Sequence, residues 1–147
     1  MQAGESSRTS TSSRRPIVVL DTNILMLLAH GVRVFDDISE ALEAKPRFVV
    51  IKPVYNELRK LANSSEAKTR RNAEFVLSVV EKLCEVVDYM AKNGETVDDA
   101  IIRYALENNA IVATNDRELR RRLRSLNIPE AYLREESMRI HVEGYYK

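Results

Sequence analysis

Asp21, Glu57, Asp98, Asp99 and Asp116 are the side chains of this sequence best placed to do chemistry, because each borders an apolar run that a fold would bury. Asp21 follows apolar residues 17–20 in the string Val19-Leu20-Asp21-Thr22-Asn23, and Asp116 follows residues 110–113 in Ala113-Thr114-Asn115-Asp116. Asp98 and Asp99 open a segment whose apolar positions begin at Ile101 and Ile102. A lone aspartate in such a place is commonly a helix cap, favoured by the positive end of the helix dipole. Capping needs one oxygen, however. Thr22, Asn23, Thr114 and Asn115 add further polar groups, suited to orienting a carboxylate or a metal-bound water from behind.

Glu57 has no capping explanation, since it lies inside the helical string Val54-Tyr55-Asn56-Glu57-Leu58-Arg59-Lys60-Leu61-Ala62. It stands three residues after Val54 and four before Leu61, at the edge of the apolar stripe. A carboxylate there is costly unless it is paired, with Lys60 or Arg59 as local candidates, or meets a cation. Carboxylates gathered in one crevice repel one another and raise their own pKa values unless a cation compensates them. Hard oxygen donors without neighbouring His or Cys suit Mg²⁺ or Mn²⁺, one ion or two, better than zinc. His30 and His141 lie outside these strings and read as structural residues.

The elements that must gather these acids are legible as alternating runs. Short continuous apolar stretches at 17–20, 48–51, 84–87 and 110–113, with a weaker one at 131–133, have the character of strands buried on both faces. Helical patterns fall between them at 24–30, 34–44, 54–62, 65–83, 97–108 and 117–126. This alternation predicts an α/β fold of three layers, α/β/α, with a mainly parallel sheet of four to five strands and right-handed crossovers. In such sheets ligands bind beyond the carboxyl ends of the strands, which is where Asp21 and Asp116 fall. Thr96-Val97-Asp98-Asp99 also predicts a helix start, with Thr96 as the cap and Asp99 returning the bond.

A chain of 147 residues, 44% hydrophobic and 31% charged, has apolar material for one such core. We expect one domain over 16–147, preceded by a Ser/Thr/Arg-rich disordered tail over 1–15. No apolar run approaches the roughly 20 residues of a membrane span, so a soluble, cytoplasmic protein without a membrane partner is expected. Cys84, the single cysteine, excludes an internal disulfide and reads as a small buried hydrophobe. The net charge of +1 is unevenly spread. Arg117, Arg120, Arg121 and Arg124 recur at helical spacing and are expected to form a surface for RNA phosphates, whereas a solvated helix face is the plainer reading.

In their order and spacing the acidic strings resemble the PIN domain family, a small α/β nuclease fold related to the FLAP-type 5′ nucleases. The resemblance runs from about residue 17 to about 133: Val19 to Asn23 is similar to the family's first acidic motif, Val54 to Leu58 to its second, Asp99 to Ile102 to its third, and Ala113 to Leu119 to its fourth. It implies that Asp21, Glu57, Asp99 and Asp116 are the catalytic, metal-binding carboxylates, with Asp98 an additional acid. The activity implied is metal-dependent endonucleolytic cleavage of single-stranded RNA. The stretch from Asn115 to Leu123, followed by Ile128-Pro129, is more similar to archaeal and eukaryotic PIN proteins of ribosomal RNA processing than to the shorter toxin type. Implied partners are a ribosomal precursor, or an antitoxin under the toxin reading, and a second copy of the chain. A catalytically inactive RNA-binding or assembly module is the rival from another class.

Overall fold

In a computed structural model, which describes residues 15–146, the apolar runs become the strands β1 (Ile17–Leu20), β2 (Arg47–Ile51), β3 (Glu85–Val87), β4 (Ile111–Ala113), β5 (Glu130–Arg134) and β6 (Arg139–Glu143). Val18 to Leu20, Val49 to Ile51 and Ile111 to Ala113 are all buried, which is why these runs do not alternate. The sheet order is β3-β2-β1-β4-β5-β6, parallel throughout except for the antiparallel β5–β6 pair. The expected four to five strands are therefore six among the described residues. The addition is β6, whose Arg-Ile-His-Val-Glu string alternates because it is an edge strand. Buried Asp37 fastens it: Oδ2 accepts from the Ile140 amide at 3.0 Å, and Oδ1 from the Arg139 guanidinium at 3.1 Å.

Six α-helices connect the strands: α1 (Thr22–Met26), continued by a 3-10 turn over Leu27–His30, α2 (Val34–Leu42), α3 (Lys52–Leu61), α4 (Ala67–Leu83), α5 (Val97–Asn108) and α6 (Arg117–Ser125). The helix expected over 24–30 is thus half α and half 3-10. α3 begins earlier than the apolar stripe suggests, with Pro53 in its first turn, where the missing amide hydrogen costs nothing. Helices on both faces of the sheet make the expected three layers. Of the segment 1–15 read as a tail, Arg15 alone is described, and it donates to the carbonyls of Lys45 and Pro46; the rest lies outside the described residues. No helix among the described residues is long and apolar enough to cross a membrane.

The topology itself chooses the site. From β1 the chain moves outward to β2 and β3, then returns to the other side of β1 for β4 and β5. The connections therefore diverge between β1 and β4, which leaves a crevice at their carboxyl ends. Asp21 ends β1, and its amide continues the ladder to the Ala113 carbonyl of β4 at 2.9 Å.

Candidate active site

Asp21 is 6% exposed and caps α1, accepting from the Thr22 amide at Oδ1 (2.8 Å). Its Oδ2 accepts from Thr114 Oγ1 at 2.8 Å and Asn23 Nδ2 at 3.2 Å. Thr114 is fully buried at the end of β4, so the carboxylate is clamped between the two strands that flank the crevice. Burial raises the Asp21 pKa, Thr114 and Thr22 pull it back by hydrogen bonding, and the charges of Glu57 and Asp116 raise it again. Thr22 also reaches the second expected acid, its hydroxyl donating to Glu57 Oε1 at 2.5 Å. Glu57 thereby turns toward Asp21 from α3, across 35 residues of sequence. Its partner is this hydroxyl, not the neighbouring Lys60 or Arg59 weighed from sequence.

Asp116 caps α6, with Oδ1 accepting from the amides of Glu118 (2.8 Å) and Leu119 (3.1 Å). Its own amide donates to Thr114 Oγ1 at 3.1 Å, so one hydroxyl binds both aspartates. Asn23 and Asn115 finish the frame. The Asn115 amide donates to Asn23 Oδ1 at 3.0 Å, and Asn115 Oδ1 accepts from the Leu133 amide of β5 at 2.9 Å. The four polar residues expected behind the acids thus fix the crevice by bonds among β1, β4 and β5.

The pair at the start of α5 divides its labour. Asp99 closes a capping box, its Oδ2 accepting from the Thr96 amide at 3.0 Å while its amide donates to Thr96 Oγ1 at 3.1 Å. Its Oδ1 accepts from Arg122 of α6 at 2.8 Å. Both oxygens are engaged, and these bonds hold the Asp99 pKa below the usual carboxylate range. Asp98 is the one of the pair that feels the acids of the crevice. Burial pushes its pKa up to about 6, with the charges of Asp21 and Asp116 adding and Arg122 opposing. Arg122, outside the four arginines singled out from sequence, ties α6 to α5; with a partner 23 residues away, no local pattern signals it.

The four arginines of α6 do not share one role either. Arg120 Nε donates to Glu130 Oε1 at 2.5 Å, and its guanidinium lies 3.7 Å from the centre of the Tyr132 ring. Arg124 leans on the same buried Glu130 at 3.5 Å. A carboxylate that is 3% exposed must be paired, so these two cations serve the core and not a free phosphate surface. Arg121 pairs at the surface with Glu118, while Arg117 is exposed and without an ion-pair partner among the described residues. Cys84 is part-buried, and burial pushes its thiol up to about 12, as an inert side chain requires.

Asp21, Glu57, Asp98 and Asp116 therefore meet at one edge of the sheet. Among the described residues, however, no three His, Cys, Asp or Glu groups stand close enough to hold one ion directly. An all-oxygen set in that state fits a dication that keeps several of its waters, as Mg²⁺ characteristically does, binding through one or two carboxylates and the substrate's phosphate. It suits zinc less well, which is mostly held by histidine nitrogen or cysteine sulfur.

A mainly parallel sheet with acids gathered at its switch point defines an α/β protein with a candidate active site at the carboxyl ends of β1 and β4. Residues 18–136 match the family model described as a PIN like domain, and the chain belongs to that family. It is 36% identical over 121 residues to "Ribonuclease VapC4" of Methanocaldococcus jannaschii, spanning 80% of this chain and 90% of that protein. To "Ribonuclease VapC9" of Archaeoglobus fulgidus it is 33% identical over 126 residues, spanning 85% and 87%. Among solved structures it is similar to the PIN domain endonuclease Utp24, with a TM-score of 0.70 and 26% identity over 89% of this chain and 93% of that one. The fold also matches a VapBC2 structure from Rickettsia felis, solved with a DNA fragment from its promoter, at a TM-score of 0.55 and 22% identity, covering 71% and 92%.

Proposed function

We propose that the chain is an endoribonuclease that cleaves single-stranded RNA with the help of Mg²⁺ or Mn²⁺. The observation that carries this reading is the clamped, desolvated Asp21, which feels the charges of Glu57 and Asp116 and adds its own to Asp98. The ribonuclease names of relatives at 36% and 33% identity support it. Asp21, Asp116, Asp98 and Glu57 are the residues that would hold the ion, one or two of them directly and the others through its waters, with Asp98 in the place that the family resemblance gave to Asp99. Bound there, the cation supplies a more acidic water and stabilises charge on phosphate oxygens. Thr114 and Thr22 keep Asp21 and Glu57 in position, so neither carboxylate has to reorganise when substrate arrives. Water attacks phosphorus in line and the P–O3′ bond breaks, leaving a 5′-phosphate and a 3′-hydroxyl.

The test is cleavage of a single-stranded RNA by the purified chain with Mn²⁺, with EDTA, and after Asp21→Asn. Activity that needs the ion and vanishes in the variant supports the reading; cleavage indifferent to both overturns it. The substrate we favour is a ribosomal or other precursor RNA, because the stretch from Asn115 to Leu123 followed by Ile128-Pro129 resembles PIN proteins of ribosomal RNA processing. The VapC names of both curated relatives favour a second reading, a toxin-type ribonuclease whose antitoxin plugs the crevice. A tight complex with a small protein encoded beside it, which suppresses cleavage, would decide for that reading.

A further inference from the structure

Beside the acids, between the start of α6 and the β5–β6 hairpin, lies an open cavity of about 680 Å³. Its lining is mixed: Arg117, Arg120, Arg134 and His141 stand around Tyr132 together with the carboxylates of Glu135 and Glu136, and Asn115 completes the wall next to Asp116 in the chain. Tyr132 and Arg134 lie two apart on β5, and His141 pairs directly with Tyr132 from β6, so all three project from one face of the hairpin. Arg120 is neutralised by Glu130 and covers the Tyr132 ring, which makes it a floor. Arg117 has no ion-pair partner among the described residues. Arg134 has only long contacts, 3.4 Å each, to Glu143 and the Tyr132 hydroxyl. The cavity therefore offers two weakly committed guanidinium groups and an imidazole.

Three features choose its occupant. The volume is that of a small-molecule site, for which about 300–1,000 Å³ is usual. Guanidinium donors beside the carboxylates of Glu135 and Glu136 suit a ligand that carries both an anionic phosphate and hydrogen-bond donors of its own, as a nucleotide does. The position sets the cavity next to the acids, because two of its lining residues, Asn115 and Arg117, flank Asp116 in the chain. A polyanion lying across clustered carboxylates needs fixed positive charge next to them to be recruited at all.

We propose that this cleft holds the nucleotide adjoining the scissile phosphate of a single-stranded RNA, with Arg117 and Arg134 on its phosphate and His141 within reach of its sugar or base. The assignment rests on the nuclease reading for its substrate, but binding tests it separately. The probe is a short fluorescein-labelled oligouridylate, titrated in Mg²⁺ against protein carrying Asp116→Asn to prevent turnover. Adding Arg117→Gln and Arg134→Gln should weaken binding about tenfold near 0.1 M salt and flatten the salt dependence by about one to two released ions. In the otherwise native chain the same pair should raise KM with little change in kcat, and Arg134→Lys should restore part of the loss. Arg117→Gln alone touches an exposed residue and keeps the test sound if Arg134→Gln folds poorly. Unchanged affinity and unchanged salt dependence overturn the cleft, even where RNA is cleaved. Weakened binding by a chain that never cleaves RNA leaves the cleft standing and removes the nuclease reading.

Discussion

Asp98 and Asp99 are neighbours of identical chemistry, yet neutralising them should move stability in opposite directions. In metal-free protein Asp98 titrates at about 6 against an ordinary 3.8, because burial and the charges of Asp21 and Asp116 disfavour its ionised form. At about 1.4 kcal/mol per tenfold, that raised pKa costs the folded state at most about 3 kcal/mol at neutral pH. Asp98 is only part-buried, so solvent screening leaves about half of this. Asp98→Asn removes the cost but also forfeits about 0.3–1 kcal/mol of attraction to the α5 N-terminus, for a net gain of about 1 kcal/mol. Asp99→Asn instead breaks the part-exposed ion pair with Arg122 and weakens the return bond to Thr96, so it lowers stability.

Thermal melts in EDTA near neutral pH read both effects. For a domain of this size about 1 kcal/mol corresponds to a few degrees. Asp98→Asn should therefore melt a few degrees above the native chain, and Asp99→Asn below it. Acidity gives the stricter control. A carboxyl with a raised folded pKa contributes its stability fully below the unfolded value and loses it as pH rises through the folded one. The native chain should therefore close the gap to Asp98→Asn between about pH 6 and pH 4. If Asp98→Asn melts lower than the native chain at neutral pH, or its advantage persists unchanged in acid, Asp98 does not share a field with Asp21 and Asp116 and the arrangement of the site argued above is wrong.

Mn²⁺ should raise the melting temperature of the native chain, by the equivalent of about 2.7 kcal/mol at a hundredfold excess over Kd, and calorimetry should find the shift nearly abolished by Asp21→Asn. A shift that survives this substitution would place the ion elsewhere. Arg120→Ala strands the buried Glu130 carboxylate and should cost about 3 kcal/mol in urea unfolding, whereas Arg121→Ala, which loses an exposed pair, should stay within about 0.5 kcal/mol. Equal effects would mean that Glu130 finds another partner.

What the sequence conceals follows from how far each signal reaches. The four buried strands and α5 are legible because their determinants are local: an uninterrupted apolar run, or a cap with its return residue. β6 carries only two apolar residues in a polar alternation, and its anchor, Asp37, lies about a hundred residues upstream inside a helix. The arginines of α6 have helical spacing, which shows that their side chains fan around an axis. It does not show that β5 will present a buried glutamate to two of them.

The assignment of the third acid is different, because there the local signal was sufficient and two uses were laid on one side chain. Thr96-Val97-Asp98-Asp99 predicts a capping box, and a capping box requires the carboxylate three residues after the cap to turn back toward the cap's amide. A group committed to that bond points along the helix end and away from any crevice in front of it. The residue before it has no such obligation. Asp98 and Asp99 are one position apart on the helix, about 100° of rotation, so if one carboxylate turns back to the cap the other faces a different direction. Here Asp98 feels the charges of Asp21 and Asp116 at the switch point between β1 and β4. Resemblance alone favours Asp99, the acid followed by Ala-Ile-Ile; the geometry of the cap favours Asp98. Where a motif and a backbone hydrogen bond compete for the same two oxygens, the hydrogen bond identifies which acid remains free for chemistry.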